Sequence, residues 1–314
     1  MPILNHIRPI VACLALAATT VLSEAQMIPQ KLYYGVGRPI LVNVNTPQDG
    51  EAEIRLYRPG QPARTPHASA TIPGRGEHDL AQLFPELWES SDPALFYAQP
   101  FQGGLQFGSP LVIQPLVSPP RARSAGQQIS WQAAPPQVSG VRVYVERHAI
   151  IETSMGEITL RMRPDEAPNT VYSFLHLAEN GFYDDVIFHR IIPDFVVQGG
   201  DPTGTGSGGP GYNIDLERSQ LPHDFGVVSM ARSSDPDSNG SQIFICLTRE
   251  RTSILDGRYT GFAEAVEGAD VIRELGAVST GAGDRPVDPP VIRRVRIEPA
   301  PPYDSAGLKP VSQQ

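Results

Sequence analysis

The 314-residue chain is nearly free of lysine, with Lys31 and Lys309 as its only two. No basic run occurs, and the formal net charge is -9. That balance lacks the electrostatic footprint of a nucleic-acid binder. It favours solubility without naming a partner. Long apolar runs are also missing. The longest, IVACLALAATTVL at 10–22, is shorter than the ~20 residues a membrane-spanning helix needs. Arg8 precedes it and Ser23-Glu24-Ala25 follows, so it reads as a secretory signal peptide cut after Ala25. The expected location is therefore periplasmic or secreted, with no stable membrane insertion after cleavage. Of the two cysteines, Cys13 falls in that leader. Cys246 is then alone and cannot form an internal disulfide. Its apolar setting, IFICL, fits a buried and inert thiol.

Several catalytic signatures are absent. There is no Gly-Lys-Ser/Thr for a phosphate-binding loop and no GxSxG for a nucleophile elbow. The seven histidines are scattered, and none pairs with another ligand at metal spacing. Gly204, Gly206 and Gly209 do spell GxGxxG within QGGDPTGTGSGGPGYN (198–213). A dinucleotide site needs a helix directly after those glycines. Pro210, Gly211 and the non-amphipathic YNIDLE follow instead. The sequon Asn239-Gly240-Ser241 abuts an apolar strand, which favours a structural role.

Proline and glycine are plentiful, at 32 and 29 residues. Both favour strands and turns over long helices. PILVNV (39–44), AEIRLY (52–57), ASATI (68–72), ALFYAQ (94–99) and PLVIQPL (110–116) read as strands separated by turn sequences. HDLAQLFPELWE (78–89) has room for one helical turn. Residues 26–117 are thus expected to form a small β-sandwich of unknown role. The Pro-rich stretch 118–146 reads as a linker. VRVYVERHAIIET (141–153) alternates and leads into a second domain, 147–299. The remaining 300–314 reads as a flexible tail.

In the second domain, Val171, Phe174, Leu175 and Ala178 follow a helical period, and Gly181 suits the helix end. EGADVIRELGA (267–277) is a second helix. Strands are expected at 156–162, 186–192, 195–200, 226–231, 241–247 and 291–298. Two helices among so many strands favour a capped β-barrel over a doubly wound sheet.

The stretch FHRIIPDFVVQGGDPTGTGSGGPGY (188–212) closely resembles the signature of cyclophilins, a class of peptidyl-prolyl cis-trans isomerases. Three more segments agree in order: 152–190, SMARSSDPDSNGSQIFI (229–245) and LDGRYTGFAEAVEG (255–268). The short GTGSGGPGY form is typical of bacterial members. The resemblance covers about half the chain, and the first 147 residues lie outside it. It implies an eight-stranded antiparallel β-barrel capped by two helices, acting on proline-containing polypeptides without a cofactor.

The resemblance assigns Arg190, Phe195 and Gln198 to catalysis. Arg190 would face the prolyl amide, and Gln198 would contact the substrate carbonyl. Phe195, Phe244 and Leu255 would form the proline pocket, and Ala231 and Gln242 would line the groove for the preceding residue. His189 would support the site from within the barrel. Val196, Ile254 and Tyr259 also fall at substrate-facing positions, but stand where many members have methionine, cyclosporin-sensitive members have tryptophan, and many members have histidine, respectively. Two other readings stay open. One is a non-catalytic proline-peptide-binding chaperone. The other is a cell-surface binding protein with an accessory isomerase domain. Ile254 removes an indole N–H donor, so cyclosporin binding is expected to be weak or absent. Replacing Ile254 by Trp should tighten cyclosporin binding measured by calorimetry; tighter binding by the native protein would refute this reading.

Overall fold

The computed structural model describes residues 25–89, 93–118, 120–125, 128–132, 137–304 and 309–313. The leader, residues 1–24, lies outside the described residues. The chain first lays down β1 (Gln26–Pro29), β2 (Tyr33–Gly35), β3 (Leu41–Asn45), β4 (Ala52–Tyr57), β5 (Ala68–Ile72) and β6 (Gly76–Asp79). Two helical turns follow, α1 (Leu80–Leu83) and α2 (Glu86–Glu89). Then come β7 (Phe96–Gln102), β8 (Leu105–Gln106) and β9 (Leu111–Val117). Asp79 caps α1 by accepting the Ala81 N–H at 2.9 Å, and it also takes the Ile40 N–H at 2.8 Å.

The stretch expected to be a linker is largely structured. It forms β10 (Arg121–Ala125), β11 (Gln128–Gln132) and β12 (Val138–Val145). β12 inserts between β2 and β9 and buries Val141 and Val143. Its alternating apolar residues suit an internal strand; the alternation of VRVYV shows in the sequence, but its place in the first domain's sheet does not. VRVYVERHAIIET therefore serves both domains, with Glu146 standing between β12 and the first barrel strand.

The N-terminal domain consists of two antiparallel sheets, ordered β1-β3-β6 and β2-β12-β9-β7-β4-β5, with β8 paired to β7. Met27, Val42 and Val44 of the small sheet share a core with Ile54, Leu56, Leu111 and Ile113 of the large one. This is the expected sandwich arrangement.

The second domain contains β13 (Arg147–Thr153), β14 (Gly156–Met162), α3 (Pro168–Glu179), β15 (Val186–Ile187), β16 (Arg190–Ile192), β17 (Val196–Gly199), β18 (Val227–Met230) and β19 (Ile243–Cys246). It continues with α4 (Arg249–Thr252), β20 (Gly261–Glu267), α5 (Ala269–Gly276) and β21 (Val291–Pro299). The sheet order is β15-β21-β13-β14-β20-β18-β19-β17-β16. β15 and β16 belong to one run broken only at Phe188-His189, where the Phe188 N–H donates to Pro290 O at 2.8 Å. That run bonds β21 at one end and β17 at the other, closing an eight-stranded barrel. Phe174 of α3 meets Tyr183 and Phe262 in the core at 5.2 Å each. α3 packs on β20 and β21, while α5 packs on β14, β16 and β17.

The described parts of the tail are also packed, contrary to the expected flexibility. Tyr303 stacks on Tyr57 at 4.5 Å, and its backbone N–H donates to Gln99 Oε1 at 2.8 Å. Val311 is buried in the barrel core. Stacking, hydrogen bonds and apolar burial thus fasten a segment whose composition suggests freedom.

Further contacts join the domains. The Arg142 guanidinium lies 3.9 Å from the centre of the Tyr172 ring, and Gln114 donates to Asn169 at 3.3 Å. Between them lies a cavity of about 690 Å³ lined by Tyr97, Glu146, His148 and Arg163. Burial, reinforced by the Asp165 charge, pushes the Glu146 carboxyl up to about 8. Burial, helped by Arg161, lowers the His148 imidazole to about 4. Unfolding releases Glu146 to ionise at its ordinary value of 4.5, so its contribution to stability declines as pH rises from there towards 8. His148 acts oppositely, losing stability as pH falls from 6.5 towards 4. Urea midpoints should accordingly drop less between about pH 5.5 and about pH 8.5 in Glu146→Gln than in the native chain. Parallel profiles would exclude Glu146 as the source.

Candidate active site

The site begins with strand register. Arg190 on β16 faces Gln198 on β17, Gln198 faces Phe244 on β19, and Phe244 faces Ser229 on β18. Directly opposed residues in a sheet share a face. These four positions therefore form one row across the outside of the barrel wall. The intervening residues Val197, Val228, Ile243 and Ile245 point the other way, into the barrel core. Alternation thus settles the direction of Phe244, which the apolar run IFICL leaves ambiguous.

Phe244 belongs to an outer apolar cluster with Val196, Leu221, Val227, Cys246 and Leu255. Phe195, Ala231 and Tyr259 pack against it while remaining partly exposed. Phe244 and Tyr259 meet edge to face at 5.6 Å. The structure therefore gathers six of the sequence-identified residues into one apolar patch. Ile254 is not among them: it is 62% exposed, on the short turn 253–255. Sequence reading missed Leu221, Val227 and Cys246. The period of two places Val227 and Cys246 on the outer face, so that signal was available; Leu221 lies in a loop and offers none.

Polar groups frame the patch. Gln198 Nε2 donates to Gln242 Oε1 at 3.0 Å. Gln242 Nε2 donates in turn to Gly206 O at 3.0 Å and Gly208 O at 2.9 Å. The side chain of Arg190 is 42% exposed, with Nη2 3.2 Å and Nε 3.3 Å from Asp284 Oδ2. Asp284 holds a left-handed backbone with φ of 60°, a conformation uncommon outside glycine. His189 lies beneath the glycine-rich loop, near Gly206, rather than in the groove. Its ring is buried, and burial pushes its pKa down, opposed by Asp201.

Behind the patch, His223 is fully buried with its ring stacked near Phe244 at 6.1 Å. Its Nδ1 lies 3.0 Å from Asp256 Oδ1, and its Nε2 lies 2.8 Å from Ser229 Oγ. Burial raises the Asp256 pKa, but hydrogen bonds from Arg249 and His223 outweigh that effect and hold it at about 2. The connectivity is that of a serine–histidine–aspartate relay, yet Ser229 is fully buried and no substrate carbonyl could reach it. The trio supports the pocket wall instead.

The glycine-rich loop has its own organiser, which sequence reading overlooked. The buried Asp201 carboxylate accepts N–H groups from Thr203 at 2.7 Å, Thr205 at 3.0 Å and Gly206 at 2.6 Å. It also accepts the Thr203 hydroxyl at 2.8 Å. A side chain at Gly208 would collide with it, since an added Cβ would stand 2.0 Å from Oδ1. Among the described residues, no cluster of His, Cys, Asp and Glu suits a metal ion.

Residues 148–297 match the family model described as Cyclophilin type peptidyl-prolyl cis-trans isomerase/CLD. The peptidyl-prolyl cis-trans isomerase ppi1 of Schizosaccharomyces pombe is 43% identical over 144 residues, covering 44% of this chain and 91% of that protein. Peptidyl-prolyl cis-trans isomerase-like 1 of Aspergillus oryzae is 46% identical over 151 residues, covering 46% of this chain and 92% of that one. A cyclophilin type isomerase of Cryptosporidium parvum, solved in the presence of the dipeptide ala-pro, covers 48% of this chain and 98% of that chain, with 33% identity and a TM-score of 0.46. Such identity over nearly the whole length of the curated relatives identifies the barrel half: the chain belongs to the cyclophilin-type peptidyl-prolyl cis-trans isomerases.

Proposed function

We propose that the groove isomerises X-Pro bonds without covalent chemistry, and that Arg190 stabilises the twisted amide. The observation that carries this reading is the Arg190–Gln198–Phe244 row beside the outer apolar cluster. An amide resists rotation by ~18–20 kcal/mol because resonance is lost on twisting. Twisting localises the nitrogen lone pair, so a donor aimed at that nitrogen binds the transition state better than either planar form. Raising a rate of ~0.01 s⁻¹ to ~10 s⁻¹ requires roughly 4 kcal/mol. A well-aimed charged donor can supply about that much.

In this reading, the proline ring enters the patch formed by Phe195, Val196, Phe244, Leu255 and Tyr259. Gln198, held by Gln242, anchors the adjacent main chain, and Ala231 and Gln242 border the residue before proline. Asp284 takes the Nε and Nη2 side of the guanidinium, so it acts as a positioning residue. His189 sustains the loop from below. The leader reading makes exported chains the natural clients and puts the enzyme in the periplasm or outside the cell; a mature N-terminus at Gln26 would bear this out.

The test is an exchange assay on a proline peptide with the full chain. Arg190→Ala should lower kcat/KM at least tenfold, equivalent to ~1.4 kcal/mol. Asp284→Ala should lower it severalfold, mainly through kcat. Full activity in Arg190→Ala would overturn the mechanism.

A further inference from the structure

No Asp or Glu occurs from 93 to 145, in a chain that carries 34 of them. Within that acid-free run, β10 and β11 pair as a separate two-stranded sheet. Ala122 opposes Trp131 and Ser124 opposes Ile129, so these four share one face. Arg121 opposes Gln132 and Arg123 opposes Ser130, so these four share the other. The first face is the covered one. Ala122 is buried, and Ile129 and Trp131 are half-buried. Ser124, on that face, donates its hydroxyl to Ser234 O at 3.2 Å. Ser234 stands in the barrel loop that runs from Ala231 to Gln242, both at the groove. A lone two-stranded ribbon is marginal in water, so this seat beside the groove helps to hold it. The second face is exposed at all four positions. Among the described residues, neither Arg121 nor Arg123 forms an ion pair. The ribbon lies wholly outside residues 148–297, which match the family.

We propose that the β10-β11 ribbon is a docking surface for acidic stretches of an unfolded client chain whose X-Pro bond occupies the groove. The inference rests on the groove reading given above, since the client must enter there. Two observations select this occupant. The exposed face carries positive charge and hydrogen-bonding groups with no acid on the ribbon to offset them, so it complements carboxylates. Its seat on the Ala231–Gln242 loop makes it continuous with the groove. Once the proline is held, a second contact from the same chain is intramolecular and strengthens binding without new chemistry. Arg121 and Arg123 should therefore act through KM and leave kcat alone.

The experiment uses the full chain and long unfolded polypeptides that share one X-Pro core. The core is flanked on one side or the other by a run rich in Glu, or by Gln at the same positions. Isomerisation is followed by magnetisation exchange, with a short acetylated peptide of the bare core as control. For at least one placement, KM with Glu should be about fivefold lower than with Gln, the size expected of two exposed ion pairs. The two kcat values should agree, and added salt should narrow the gap. In the double variant Arg121→Ser, Arg123→Ser the KM ratio should fall to about one, with turnover of the short peptide unchanged. Equal KM values for Glu and Gln in both placements would overturn the proposal while leaving the groove reading intact. A Glu preference that survives in the double variant would overturn the assignment to the ribbon. A loss of short-peptide turnover in that variant would also overturn it, because the arginines would then act within the groove. No acceleration of any peptide by the native chain would overturn the groove reading and this inference with it.

Discussion

The two-residue period of β17, β18 and β19 governs this molecule, because one sheet wall must satisfy two environments. Ile243 and Ile245 pack inward with Val197 and Val228. Phe244 and Cys246 pack outward with Val196 and Val227. All four residues of β19 are buried, so no face of that strand is spare. The barrel core and the groove are opposite sides of one hydrogen-bonded layer. A one-residue slip in register would exchange them wholesale, which links the geometry of the groove directly to folding.

Polar groups then set what the apolar patch can do. On one flank Asp284 restrains Arg190, a group that remains substantially exposed. On the other, Arg249 and Asp256 hold the buried His223 behind Phe244. Both arrangements place charge at the margin of the groove rather than beneath it. The patch itself is apolar and the charges keep partial access to water, which avoids the desolvation cost of fully buried ions. The sandwich meets the barrel differently, through aromatic and amide contacts around Arg142, Tyr172 and Tyr303. The two halves therefore meet through a mixed surface that includes Glu146.

Much of this was legible in the sequence where the determinant is local. AEIRLY and GEITLRM form strands at their predicted positions, and the apolar period of α3 predicts its buried face. The residues carried by the cyclophilin resemblance converge in space, except the exposed Ile254 and the loop-supporting His189. What stayed hidden depends on distant partners. Asp284 lies 94 positions from Arg190 in an unremarkable turn. β12 looked like linker because its pairing with β2 and β9 cannot be seen in composition. Tyr303 and Val311 seemed free because their pockets are built by residues far earlier in the chain.

The glycine-rich loop shows what a self-supplied counter-charge accomplishes. Its converging N–H groups form an anion-binding nest of the kind that elsewhere accepts phosphate. Here Asp201 of the same loop already fills it. The rim of the groove consequently holds its shape before any peptide arrives. Gly206 and Gly208 offer their carbonyls to Gln242 from a frame that is already set. An incoming chain is spared the entropy of ordering a mobile rim. A loop rich in glycine thereby behaves as a rigid part, and the freedom that glycine confers is used up in reaching one shape.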